Sequence, residues 1–133
     1  MNQQSNGLIL AIATDDEKHF MKRHFGDAKS YLIYQINESG WEFLKKIENN
    51  SEEEKRHADP VKAGSISGIL KKEGVQVLAS IVFGPNIKRM IKKFACILVH
   101  EETIEYGLDT IKQNYSVILE RWRQGPERKP LKV

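Results

Sequence analysis

The sequence contains a single cysteine, Cys96, and no long apolar run. One cysteine excludes an internal disulfide, and it also excludes a CxxC pair that could anchor an iron–sulfur cluster permanently. The apolar runs have only the length of β-strands, so none could cross a membrane as a helix. The N-terminal residues 1–7 are polar and uncharged, without the basic and apolar segments of a signal peptide. These absences favour a soluble domain in the cytoplasm.

A strong charge of one sign is also missing. The 133 residues include 21 basic and 18 acidic side chains, which gives a net charge of +3. That excess is too small to indicate a nucleic-acid partner, and the basic residues lack interleaved aromatics. Nucleophile elbows, Walker loops and dinucleotide fingerprints are absent as well. The composition therefore favours a binding domain over these enzyme classes.

Strand-like and helix-like segments alternate along the chain, whose length suits one domain. The pattern predicts strands at 8–14, 31–36, 41–47, 75–83 and 95–99, and helices at 62–73, 87–94 and 104–122, the last capped by Thr103. This order predicts an α/β fold with three α/β/α layers and a mixed five-stranded sheet, because a hairpin precedes crossover-linked parallel strands. We expect a disordered N-terminus over 1–7, one domain over 8–123 and a flexible basic tail over 124–133.

Candidate binding residues follow two of the predicted strands. The first strand leads through Asp15-Asp16 to His24-Phe25-Gly26, and the fourth leads into Gly84-Pro85-Asn86. Ligands of open α/β sheets bind beyond the carboxyl ends of parallel strands, so neighbouring strands would place both loops at one crevice. If Pro85 starts a helix, the backbone N–H groups of Asn86 and Ile87 are free and form an anion site. The alternative is an ordinary helix start.

The four histidines supply the candidate metal ligands. His24 lies beside a glycine on a loop, and imidazole binds iron and other transition metals well; the alternative is a solvated surface residue. His57 is a weaker candidate in a charged loop, and neither His19 nor His100 completes a standard metal motif. Asp15 and Asp16 could bind a divalent metal, although capping of the loop is the preferred interpretation. Cys96 is interpreted as a buried hydrophobe.

The order of several short segments resembles the dinitrogenase iron–molybdenum cofactor biosynthesis family, of the NifX/NifB type. The matching segments are Ala13-Thr14-Asp15-Asp16, His24-Phe25-Gly26-Asp27-Ala28, Tyr31-Leu32-Ile33-Tyr34, and Leu70-Lys71-Lys72-Glu73-Gly74-Val75 leading to Phe83-Gly84-Pro85-Asn86. The resemblance extends over residues 8–118. It implies a ribonuclease-H-like fold that binds an iron–sulfur or iron–molybdenum-type cluster, or its precursor, and passes it to cofactor-assembly or acceptor proteins. It also implies a nitrogenase accessory factor-like role, without catalysis, for a monomer or homodimer.

The resemblance also implies roles for individual residues. His24 is the candidate contact to the cluster, and Gly26 shapes its loop. Amides around Asn86 would hold anionic groups, and Lys22 and Arg23 would suit the negative charge of a cluster. The candidate site as a whole comprises Asp15, Lys22, Arg23, His24, Phe25, Gly26, Gly84, Pro85 and Asn86, with His57 as a second metal ligand.

The sequence departs from the family pattern in two places, and these departures motivate other hypotheses. Val82-Phe83 replace a glycine pair, where their bulk would narrow the pocket, and the loop over 52–60 is acidic instead of glycine- and histidine-rich. A small-molecule or regulatory binding domain that has lost cluster binding is therefore the alternative function. A metal-dependent nuclease is a third hypothesis based on fold analogy, but it needs several converging carboxylates and the sequence offers only Asp15 and Asp16.

Overall fold

The structure is a computed structural model that describes residues 7–49, 65–85 and 87–133. The described residues form six strands and four α-helices: β1 Leu8–Thr14, β2 Ser30–Asn37, β3 Gly40–Glu48, α1 Ser65–Lys72, β4 Val77–Ser80, α2 Ile87–Lys93, β5 Ala95–Leu98, α3 Ile104–Gln113, α4 Tyr115–Arg123 and β6 Leu131–Lys132. Short 3₁₀ turns lie at Phe25–Asp27 and Gly125–Glu127. The predicted disorder of residues 1–6 and the start of the first predicted helix, 62–64, lie outside the described residues.

The strands form one mixed sheet in the order β3-β2-β1-β4-β5-β6. The hairpin strands β2 and β3 are antiparallel, and β2 is antiparallel to β1, whereas β1, β4, β5 and β6 are parallel. In the first five strands only β2 runs against the others, as a ribonuclease-H-like motif requires. The predicted mixed sheet and its hairpin are confirmed, but the predicted count of five strands is wrong because β6 adds a sixth.

Helices cover both faces of the sheet and produce two apolar cores. Leu10 and Ile12 of β1 pack with the buried side chains of α3 and α4, whereas Ala11 and Ala13 pack on the opposite side with α1 and α2. β1 is therefore buried on both faces, which explains its continuous apolar sequence. No helix among the described residues is long and apolar enough to cross a membrane.

Two predicted elements differ from the structure. The strand predicted over 75–83 is shorter in the structure and spans Val77–Ser80. It ends there because the buried hydroxyl of Ser80 donates to the carbonyl of Val82 and turns the chain. The predicted long last helix is two helices that meet at Asn114, although their buried residues continue one apolar face. The cap at Thr103 is confirmed, since its hydroxyl oxygen accepts from the backbone N–H of Tyr106 at 3.3 Å.

The predicted flexible tail is wrong for the segment that contains Arg128. Arg128 is only 6% exposed. Its guanidinium donates to the carbonyls of Ile91, Arg121 and Trp122 and lies 4.8 Å from the centre of the Trp122 ring. These carbonyls belong to the last turns of α2 and α4, where few backbone donors are available; in α4 the N–H of the capping residue Gln124 also reaches Arg121 and Trp122. The predicted basic tail thus contains a residue, Arg128, whose guanidinium joins the ends of α2 and α4; we call this contact the Arg128 clamp. The chain then continues into β6, which pairs with β5.

We expect Arg128→Met to lower the free energy of unfolding by about 2–3 kcal/mol, because carbonyls at two helix ends lose a charged donor. Urea unfolding followed by circular dichroism measures this change. Lys129→Met is the matched control, since that side chain is exposed and should change stability by less than about 0.5 kcal/mol. Equal losses in the two variants would contradict the clamp.

Candidate functional site

The loop after β1 is organised by two aspartates that act as caps. Asp15 accepts two hydrogen bonds from the Arg23 guanidinium, at 2.9 and 3.0 Å, and one from the backbone N–H of Lys29 at 3.0 Å. Asp16 accepts from the backbone N–H of His19 at 2.8 Å and contacts the His19 ring at 2.7 Å. The hydrogen bond from the His19 side chain is the main cause that holds the pKa of Asp16 well below its usual range. The preferred interpretation of both residues as loop caps is confirmed.

The 3₁₀ turn after His24 is pinned to the hairpin beneath it. The buried hydroxyl of Tyr31 donates to the carbonyl of Phe25 at 2.8 Å, and the Asn49 amide donates to the carbonyls of Gly26 and Ala28 at 3.1 and 2.7 Å. Burial raises the pKa of Tyr31, so the phenol stays protonated and keeps its role as donor. These bonds fix the backbone of the turn that carries the candidate site.

An aromatic pair connects the two loops below the surface. The rings of Phe25 and Phe83 stack with their centroids 5.4 Å apart, and both side chains are almost fully buried. Val82-Phe83 were expected to narrow the pocket by their bulk, but the ring of Phe83 points into the core, and Val82 is half-buried. Phe83 therefore supports the loop after β1 from below.

The imidazole of His24 lies against Gly84. A Cβ atom placed on Gly84 would lie 2.6 to 2.8 Å from three atoms of the His24 ring, and Gly84 has a φ of +81°. Glycine is required here for two reasons: a Cβ atom would collide with the His24 ring, and other residues are strained at this positive φ. The His24 residue is nevertheless exposed at the surface. The loops after β1 and β4 thus meet at the carboxyl edge of the sheet, as the parallel pairing of these strands demands.

The predicted anion site in the turn after Gly84 is wrong in one part. The backbone N–H of Ile87 donates to the carbonyl of Gly84 at 3.2 Å, so it is not free for a ligand. Pro85 lies exposed in this turn, and α2 begins at Ile87 instead of Pro85. Asn86 lies outside the described residues, as does His57.

The remaining candidates divide between the crevice and the core. Lys22 is exposed two residues before His24, whereas Arg23 is already engaged by Asp15. Burial raises the pKa of the Cys96 thiol to about 12, so it stays protonated inside β5 and is no ligand. Among the described residues no group of three or more His, Cys, Asp or Glu side chains is placed to hold a metal ion.

An open cleft of about 620 Å³ lies between the β2–β3 hairpin and α3, and it was not predicted from the sequence. Its lining includes Glu17, Tyr34, Trp41, Ile104, Glu105 and Leu108. Glu17 has a positive φ of 67°, which is uncommon for a residue other than glycine. An aromatic residue at the start of an edge strand was the available signal, but the cleft forms only when the hairpin packs beside α3.

Residues 7–114 match the family model described as dinitrogenase iron–molybdenum cofactor, and the chain belongs to this family. The predicted resemblance is therefore confirmed.

Two individual proteins are similar to this chain. Protein NifX of Sinorhizobium fredii (strain NBRC 101917 / NGR234) is 35% identical over 57 residues, which are 41% of this chain and 35% of that protein. The match thus spans about a third of the length of that relative. A crystal structure from Methanocaldococcus jannaschii, solved as a candidate dinitrogenase, superposes with a TM-score of 0.59 at 21% identity, covering 82% of this chain and 91% of that one. At that identity the likeness shows the fold alone.

We expect Gly84→Ala to lower the free energy of unfolding by about 2–4 kcal/mol, because alanine is strained at this φ and its methyl group meets the His24 ring. In a His24→Ala background the same substitution should lose only about 1–2 kcal/mol, since only the conformational penalty remains. The measurement is a double-mutant cycle of urea unfolding. Gly26→Ala is the control, because its added Cβ meets nothing within 4 Å. An absence of coupling between positions 24 and 84 would show that the ring does not rest on the glycine.

Proposed function

We propose that the protein is a cytoplasmic carrier whose cargo is an iron–sulfur or iron–molybdenum-type cluster, or a precursor of one. The cargo would bind at the surface where the exposed His24 ring rests on Gly84, and it would pass to a cofactor-assembly or acceptor protein. The protein binds and releases this cargo without catalysis. The observation that carries the proposal is the exposed imidazole held against the glycine of the neighbouring loop.

A fixed, exposed imidazole suits a transient contact to iron. Histidine nitrogen is a good ligand for iron, the backbone of the following turn is held by Tyr31, and the His24 ring rests on Gly84. One imidazole supplies one bond, so a cluster held here keeps its other coordination positions for an acceptor. A handover needs such limited coordination, because a fully ligated cluster would not leave.

The charge around the crevice also fits an anionic cargo. Lys22 is exposed two residues before His24 in the same loop, and Asp15 is paired with Arg23. The ion pair with Arg23 and the bond from the Lys29 amide engage Asp15 within the loop. We therefore assign Lys22 a direct electrostatic role and Asp15 and Arg23 a role in shaping the loop.

Anaerobic incubation with an iron–sulfur donor, followed by gel filtration, metal analysis and absorption spectroscopy, tests the carrier function. Wild type should retain iron with charge-transfer absorption, and His24→Ala should retain at least about fivefold less, because the protein ligand is lost. His100→Ala is the matched control, since His100 is exposed after β5 and should bind as wild type does. Equal iron in the His24 and His100 variants, or none in wild type, would refute the proposal.

The cleft on the α3 side favours a second candidate function, a small-molecule or regulatory binding domain. Trp41 and Tyr34 offer aromatic surface, Ile104 and Leu108 offer apolar surface, and Glu105 adds a charge at the rim. Apolar surface with a few polar groups is typical of small-molecule sites. This site lies on the face of the sheet opposite to Phe25 and Phe83, so the two functions do not exclude each other.

A thermal-shift screen with phosphorylated and amino metabolites under metal-free conditions tests this alternative. A ligand of the cleft should raise the melting temperature of wild type by mass action, and Trp41→Ala should abolish the shift. Val117→Ala, at an exposed apolar residue of α4, should leave it unchanged. A shift that survives in Trp41→Ala would place the ligand elsewhere, and the absence of any shift would count against the second function.

A further inference from the structure

The strand β3 forms one edge of the sheet, and no described residue pairs with its outer side. It is nine residues long, and large apolar side chains on it are exposed: Trp41 at 37%, Phe43 at 53% and Leu44 at 44%. A long edge strand with exposed apolar side chains is a template for another strand. The question is which strand fits it.

A β-bulge at Leu44 divides β3 into two halves, and the alternation of side chains between the two faces of the sheet shifts by one residue from one half to the other. Before the bulge, Trp41 lies opposite Ile36 of β2; after it, Lys46 lies opposite Leu32, so both face α3. Glu42 lies opposite Gln35 and Lys45 opposite Ile33, so both face α1. The bulge therefore places an acidic residue of one half and a basic residue of the other half on the same face.

We propose that β3 pairs antiparallel with β3 of a second copy of this chain. The two-fold axis passes between Phe43 and Leu44, so Glu42 lies opposite the partner's Lys45 and Trp41 opposite the partner's Lys46. Because the dimer is symmetric, each contact occurs twice. The two sheets then form one continuous sheet, and the outer backbone edges of both β3 strands are paired with each other and no longer face solvent.

The charges make this register self-complementary. Opposite charges directly across two strands are favourable. The Lys46 ammonium is held by ion pairs with Glu17 and Glu48 at 3.0 and 3.1 Å, so its aliphatic stem would cover the partner's Trp41. Lys45 already bonds to Glu73, the residue that follows α1, at 2.8 Å, which holds its ammonium over the face of the sheet where the partner's Glu42 would lie. A register shifted by two residues places Glu42 opposite the partner's Ile47 and loses both ion pairs. Lys45 and Lys46 thus disfavour pairing of β3 with unrelated strands and favour pairing with β3 of a second copy.

Two charge reversals test the register. Glu42→Lys alone and Lys45→Glu alone each create two like-charge contacts in a homodimer, and each should raise the dimer dissociation constant at least about tenfold. An equimolar mixture of the two variants pairs opposite charges at both contacts and should restore association to near the wild-type level. Sedimentation equilibrium over a wide range of protein concentrations, at low and high salt, measures all of these states.

Lys72→Glu is the control, because it makes the same charge change on exposed α1 and should dimerise as wild type does. Circular dichroism of each variant confirms that it is folded. A wild type that is monomeric at every concentration overturns the proposal and leaves the edge to a strand of another protein. Variants that dimerise as wild type does place the interface elsewhere, and a mixture that stays monomeric refutes the register.

Discussion

The parallel pairing of β1 with β4 is the constraint on which the candidate site depends. Leu10, Ala11 and Ile12 lie beside Val77, Leu78 and Ala79, so the two strands end at the same edge of the sheet. The loops that follow the two strands therefore lie side by side. Because residue 84 is glycine, they approach until the His24 ring contacts the backbone of Gly84. Below this contact the stacked rings of Phe25 and Phe83 fill the space between the loops. The crevice is thus a consequence of sheet topology completed by one small residue.

Much of this arrangement could be predicted from local sequence. Continuous apolar runs identified β1 and β5 because both strands are covered on two faces, and the composition of 37–40 identified the hairpin turn. The neighbourhood of the loops after β1 and β4 followed from a general rule about α/β sheets. Which of the residues there bind a cargo stays a prediction, because proximity and exposure do not by themselves show a ligand.

The errors arose where tertiary contacts override local pattern. A basic segment after Pro126 is typical of a solvated tail, but burial of Arg128 depends on carbonyls of two helices that are distant in sequence. The bond between Ile87 and Gly84 closes a turn that a proline in first helical position would have left open. The bulge at Leu44 could not be predicted from the sequence either, and it changes which charged side chains lie on the same face of β3.

The position of Cys96 has a consequence for the proposed carrier function. Its thiol lies in the centre of the sheet and remains protonated, so it cannot compete for metal at the surface. Thiolates hold iron tightly and release it slowly to a recipient that offers weaker donors. If the protein is the proposed carrier, burial of its one thiol means that it would neither trap the delivered cluster nor crosslink to a neighbouring chain under oxidising conditions.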